Sequence, residues 1–122
     1  MEIRIDFESD CAIYTQLKNE IIRLIAEGKL SDGDSLPSVR SLAEDIGINL
    51  HTVNKAYNLL KVEGYIQLDR RKGAIVSVTK WDDEMLNNLK SDMGIMVNQC
   101  ICKGIKEEQI LEIIKDLYCG GN

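Results

Sequence analysis

The sequence predicts a mainly α-helical chain with one small β-hairpin, divided into an N-terminal domain over residues 1–79 and a two-helix tail over residues 80–122. Three observations carry this prediction. Apolar residues recur at spacings of three and four in five separate stretches. Two short segments, YIQLD at 65–69 and AIVSV at 74–78, partly alternate around a polar turn, RRKG. Near Lys80 the pattern changes from short segments broken by turns to one long helical repeat.

Residues 1–10 read as an extended lead-in in which Ile3, Ile5 and Phe7 alternate, with Ser9 or Asp10 as cap of the first helix. That helix follows from Ile13, Leu17, Ile21, Leu24 and Ile25 on one face, with Gly28 as its stop. The turn-rich stretch GKLSDGDSLPS holds the only proline, Pro37, which keeps Leu36 extended and leads into a short helix from about Ser38 to Ile46. Gly47 supplies a turn. Asn49 caps the next helix, which runs from about Leu50 to Glu63 and ends at Gly64. The hairpin follows, with Tyr65, Ile66 and Leu68 set against Ala74, Val76 and Val78.

In the tail, Trp81, Met85, Leu89, Met93, Met96, Val97 and Cys100 form the apolar face of a long helix that ends near Lys103-Gly104. Ile110, Ile113, Ile114 and Leu117 mark a shorter one, and Cys119-Gly120-Gly121-Asn122 reads as a frayed end. A segment of this size rarely builds its own core. Its apolar faces need another surface, and the same tail of a second subunit is the expected one. The residues expected to hold that dimer are Trp81, Met85, Leu89, Met93, Met96, Val97, Ile110, Ile114 and Leu117.

Composition narrows the function. Hydrophobic residues make up 44% of the chain, ordinary for a folded soluble protein, and no apolar run approaches the roughly 20 residues of a membrane span. The start, Met1-Glu2-Ile3-Arg4, lacks the apolar core of a signal peptide, so no membrane partner and a cytoplasmic location are expected. The cysteines, Cys11, Cys100, Cys102 and Cys119, include no CxxC pair and lie far from the single histidine, His51. Reduced thiols and no metal site are therefore expected. One histidine, no nucleophile motif and no phosphate-binding loop leave no enzyme chemistry and call for no cofactor.

The net charge of −5 at first argues against nucleic acid. Its distribution reverses that. Between His51 and Thr79 the cations Lys55, Lys61, Arg70, Arg71 and Lys72 outnumber the anions Glu63 and Asp69, and binding depends on the local patch. The stretch VRSLAEDIGINLHTVNKAYNLLKVEGY shows what the patch serves. A short helix, a tight turn and a longer helix make a helix-turn-helix, in which the second helix sends its first turn into the major groove. Val53, Ala56, Tyr57 and Leu60 face inward, with the Tyr57 hydroxyl at the edge of the core. Asn49, His51, Thr52 and Asn54 offer donors and acceptors to base edges, and Lys55 a cation to phosphate. Arg70, Arg71 and Lys72 at the hairpin tip form a wing that can lie on phosphates or enter the minor groove. The whole is a winged helix.

The segments GDSLPSVRSLAEDIGIN and HTVNKAYNLLKVEGYI resemble the DNA-binding domain of the GntR family of bacterial transcription regulators, and especially its short, YtrA-like branch. The resemblance covers about residues 13–78, and the two-helix tail fits the same branch. It implies a homodimeric repressor or regulator that binds an operator, in that branch often at the promoter of a neighbouring transporter operon. It also carries over the PSxR motif as Pro37, Ser38, Val39 and Arg40, with Arg40 as a DNA contact and Ser38 beside it. Leu50 stands where many relatives carry arginine. Of the two glycines usual in the wing, Gly73 keeps the second and Arg71 replaces the first, so that added charge is placed to grip phosphate.

Two other classes stand beside this reading. A winged helix used for protein contact need not concentrate cations on its wing. A thiol or metal sensor would use Cys100, Cys102 and Cys119, with or without Cys11. The tail leaves little volume for a typical small-molecule pocket of roughly 300–1,000 Å³ within one subunit, so an effector is expected, if at all, at a dimer interface or between tail and winged helix.

Overall fold

The computed structural model describes residues 1–120. It contains five helices and one hairpin: α1 (Ile13–Ala26), α2 (Val39–Ile46), α3 (Leu50–Val62), β1 (Ile66–Asp69), β2 (Gly73–Val76), α4 (Asp83–Cys102) and α5 (Glu107–Tyr118). They fall into two units, Met1–Lys80 and Trp81–Asn122.

The first unit is built around α3. Its inward face, Val53, Ala56, Tyr57 and Leu60, meets Leu17 and Ile21 of α1, Leu42 and Ala43 of α2, and Ile66, Ala74 and Val76 of the hairpin in one buried cluster. Asn49 caps α3 as the sequence predicts, and Ser38, expected as the start of the short helix, is the cap of α2. The Ser38 hydroxyl accepts from the Ser41 N–H at 3.0 Å, and the Asn49 side chain accepts from the His51 N–H at 2.7 Å. Between the two helices Gly47 takes φ +77°, a left-handed conformation that glycine adopts at no steric cost. The strands pair antiparallel, Ile66 opposite Val76 through Asp69 opposite Gly73.

Four local expectations are corrected. The cap of α1 is Ala12, not Ser9 or Asp10, and no side chain caps it. The Ser9 hydroxyl accepts from the Cys11 N–H instead, and Gln16 binds back to the carbonyls of Asp6 and Cys11. The alternation of the lead-in stops before Phe7: Ile3 and Ile5 pack against the core, but Phe7 is exposed and the chain turns there. Both strands are shorter than the sequence suggests. Tyr65 is still held by the end of α3, its N–H bonded to the Leu60 carbonyl, and Leu68 and Val78 are exposed. Finally, the stretch read as a loop before Pro37 joins the sheet. Ser35 bridges Ile75, Gly33 and Leu36 donate to the carbonyls of Val76 and Ala74, and Val76 donates to that of Asp34. One bridged residue leaves no alternation to read.

In the second unit, Asp82 caps α4 by accepting from the Met85 N–H at 2.9 Å, so Trp81 precedes the helix rather than belonging to it. Neither α4 nor α5 contains a buried residue. The expected frayed end reaches Gly121 and Asn122, which lie outside the described residues. Among the described residues no helix is long and apolar enough to cross a membrane.

Candidate nucleic-acid interface

Arg40 lies in the first turn of α2, two residues beyond the Ser38 cap. Its side chain is exposed, and among the described residues it forms no ion pair, not even with Glu44 one turn on. Nothing inside the unit competes for its five donors. Ser38 is exposed too, but its hydroxyl oxygen already serves the cap.

At the start of α3, Asn49, His51 and Asn54 are exposed and Thr52 is half-buried. Asn49 uses its acceptor oxygen on the cap, which leaves its amide donors for an outside partner. Lys55 is exposed, but its ammonium sits 3.9 Å from the centroid of the Tyr14 ring, a cation–π contact to the first turn of α1. Lys55 is thus held toward α1 rather than extending freely, and Tyr14 is a member of this surface that periodicity alone places only on an amphipathic helix.

The wing is ordered by Asp69. One of its carboxylate oxygens accepts from the N–H groups of Arg71 at 2.7 Å and Lys72 at 3.2 Å, closing an Asx turn. The bond from Arg71, then that from Lys72, holds the Asp69 carboxyl below its ordinary range. The turn is therefore intact above the usual carboxylate pKa and loosens only as pH falls through the lowered value. Gly73 closes the tip at φ +75°. Arg70, Arg71 and Lys72 are exposed and form no ion pair among the described residues. The turn in DRRKG is local in sequence, but Asp69 as the acceptor that closes it shows only in the folded geometry.

A groove of about 330 Å³ runs between the wing and the start of α2, with Pro37, Ser38 and Val39 on one side and Leu68, Asp69, Arg70 and Gly73 on the other. Tyr57 forms part of its lining, and the Tyr57 hydroxyl donates to the Pro37 carbonyl at 2.7 Å. Burial raises the Tyr57 pKa, so the phenol stays protonated and remains a donor. Arg70 lines one side of this groove, Ser38 and Val39, which directly precede Arg40, line the other, and the capped start of α3 presents polar side chains to solvent.

In the tail, Trp81, Met85, Leu89, Met96, Val97 and Leu117 are exposed, each by more than a third, while Met93, Ile110 and Ile114 are half-buried. Leu86, Ile95, Ile101, Leu111 and Ile113 add to the exposed apolar surface. All four cysteines are free, and among the described residues no three His, Cys, Asp or Glu side chains come together to hold a metal ion.

Comparison with known proteins agrees with this geometry. The description "Bacterial regulatory proteins, gntR family" matches residues 13–76. The HTH-type transcriptional repressor YtrA of Bacillus subtilis (strain 168) is 33% identical over 94% of this chain and 91% of its own length. Among solved structures, YtrA from Sulfolobus acidocaldarius, a GntR-family transcription factor, is 41% identical, with a TM-score of 0.63 over 75% of this chain and 97% of its own. A GntR family transcriptional regulator from Listeria monocytogenes is 29% identical, with a TM-score of 0.68 over 90% of this chain and 98% of its own.

Proposed function

The chain belongs to the gntR family of bacterial regulatory proteins, DNA-binding transcription regulators, and from that premise we propose that it is a homodimeric repressor that binds an inverted-repeat operator. The observation that carries the reading is the set of exposed cations that form no ion pair among the described residues, Arg40 on α2 and Arg70, Arg71 and Lys72 on the wing, together with an exposed polar start of α3. The first turn of α3 enters the major groove, Arg40 reads a base from its side, and the wing lies along phosphates. A winged helix specialised for protein contact has no need of this concentration of free cations.

The tail, residues 80–122, supplies the dimer contact in this reading. What supports it is the wealth of exposed apolar side chains on two helices that contain no fully buried residue within one chain. Two copies related by a two-fold axis present two identical reading heads, which require an operator of two inverted half-sites. The repressor of Bacillus subtilis, similar along nearly the whole chain, favours repression as the outcome. The resemblance to the YtrA-like branch points to the promoter of a neighbouring transporter operon as the target, and to a cytoplasmic site of action. A small effector, where one acts, would sit between subunits.

The wing prediction is quantitative. Each neutralised phosphate contributes a slope of about −0.9 to log K against log salt. Arg71→Ala removes one contact per subunit, so the slope of the dimer is expected to flatten by roughly 1.8, with similar losses on operator and random duplex. Titrations at several salt concentrations check this. An unchanged slope would mean that Arg71 makes no phosphate contact.

A further inference from the structure

Arg40 can read a base only if the first turn of α2 is held in place relative to the reading helix, because a binding constellation has to be fixed within about 0.5 Å to be productive. The segment that leads into α2 is tied at two points. The Leu36 N–H donates to the Ala74 carbonyl of β2, and the Pro37 carbonyl accepts from the Tyr57 hydroxyl of α3. The second tie is the informative one. Pro37 directly precedes the Ser38 cap, so its carbonyl lies outside the helical hydrogen-bond ladder and needs a partner from elsewhere. Tyr57 is buried in the core, 1% exposed, and it forms part of the lining of the groove between the wing and α2, where its hydroxyl meets the Pro37 carbonyl. A phenylalanine would fill the same core volume. The hydroxyl is therefore not required by packing, and the atom it holds is three residues from Arg40.

We propose that Tyr57 is a positioning residue for DNA recognition: through the Pro37 carbonyl, its hydroxyl fixes the first turn of α2, and so Arg40, relative to α3. This rests on the proposed function and adds to it a residue that touches no DNA yet sets its specificity. The neutral phenol is a suitable strut, since it supplies one donor and brings no charge into the core.

The test uses the full chain and two duplexes of equal length, one selected from a random pool by the wild-type protein and one of random sequence. Tyr57→Phe is expected to weaken binding to the selected duplex about tenfold, or about 1.4 kcal/mol, and to leave the random duplex unchanged. In an Arg40→Ala background, Tyr57→Phe is expected to cost nothing further, because the group it positions is gone. Lys18→Ala serves as a stability control. It breaks the Lys18–Glu63 pair at 3.2 Å, which ties α1 to the end of α3 away from the groove. It should lower the melting temperature without changing either affinity. Thermal melts of every variant confirm that the protein is folded at the titration temperature. Undiminished affinity of Tyr57→Phe for the selected duplex, an equal loss on both duplexes, or the same loss with and without Arg40 would each overturn the proposal. A wild-type protein that selects no sequence at all would overturn the proposed function, and this inference with it.

Discussion

A chain cut after Lys80 is expected to be monomeric and to bind its operator at least about a hundredfold more weakly than the full chain. Among the described residues every buried hydrophobic side chain lies between Leu17 and Val76, so the first unit keeps its core when the tail is removed. The loss therefore reports assembly, not unfolding, and a thermal melt of the truncated chain checks that. In the dimer the second reading head binds at an effective concentration set by the first, which raises overall avidity by about 10²–10⁴ over a single head. The tail is the expected source of that linkage because Leu86, Ile95, Val97, Ile101 and Leu117, among others, are exposed on α4 and α5. Sedimentation decides the matter: a truncated chain that remains dimeric refutes the assignment of residues 81–118 as the main contact.

Arg40→Ala carries the second large effect. A guanidinium that meets guanine through two hydrogen bonds contributes about 1–3 kcal/mol of discrimination, and its loss should appear in full on the operator. On random DNA of equal length the same change removes only one positive charge per subunit and should cost far less. Arg71→Ala provides the contrast, since a wing cation on phosphate weakens both duplexes by similar factors. Paired titrations at one fixed salt concentration separate the two roles. If Arg40→Ala weakens operator and random DNA equally, Arg40 is a phosphate anchor, and base reading falls to Asn49, His51, Thr52 and Asn54.

Much of the fold was legible because its signals are local. Ser38, Gly47 and Asn49 mark the ends of α2 and α3 by capping chemistry that acts within three residues, and the inward face of α3 follows from a helical repeat. The misreadings arose where a distant partner wins. Ser9 and Asp10 look like caps, but Ser9 and the nearby Gln16 spend their hydrogen bonds on the lead-in, so α1 starts later. The Ser35 bridge depends on β2, forty residues away, and leaves no periodic trace. The same division runs through the candidate interface. The PSxR motif and the cationic tip can be read from residue types at fixed spacing. The seating of Lys55 over Tyr14 and the bond from Tyr57 to Pro37 join residues from different helices, and only the folded chain brings them together. Asp69 lies between these cases, since its turn is local but its acceptor role shows only in the geometry.

Selection of bound duplexes from a random pool by the full-length protein tests the central claim most directly. A two-fold dimer of winged helices should enrich an inverted repeat, its half-sites spaced by about one turn of B-DNA, roughly 34–36 Å, or a multiple of it. Recovery of such a repeat, with affinity lost when either half-site is scrambled, is the predicted result. A pool that shows no enriched sequence, or a single half-site bound as tightly as any pair, would contradict it.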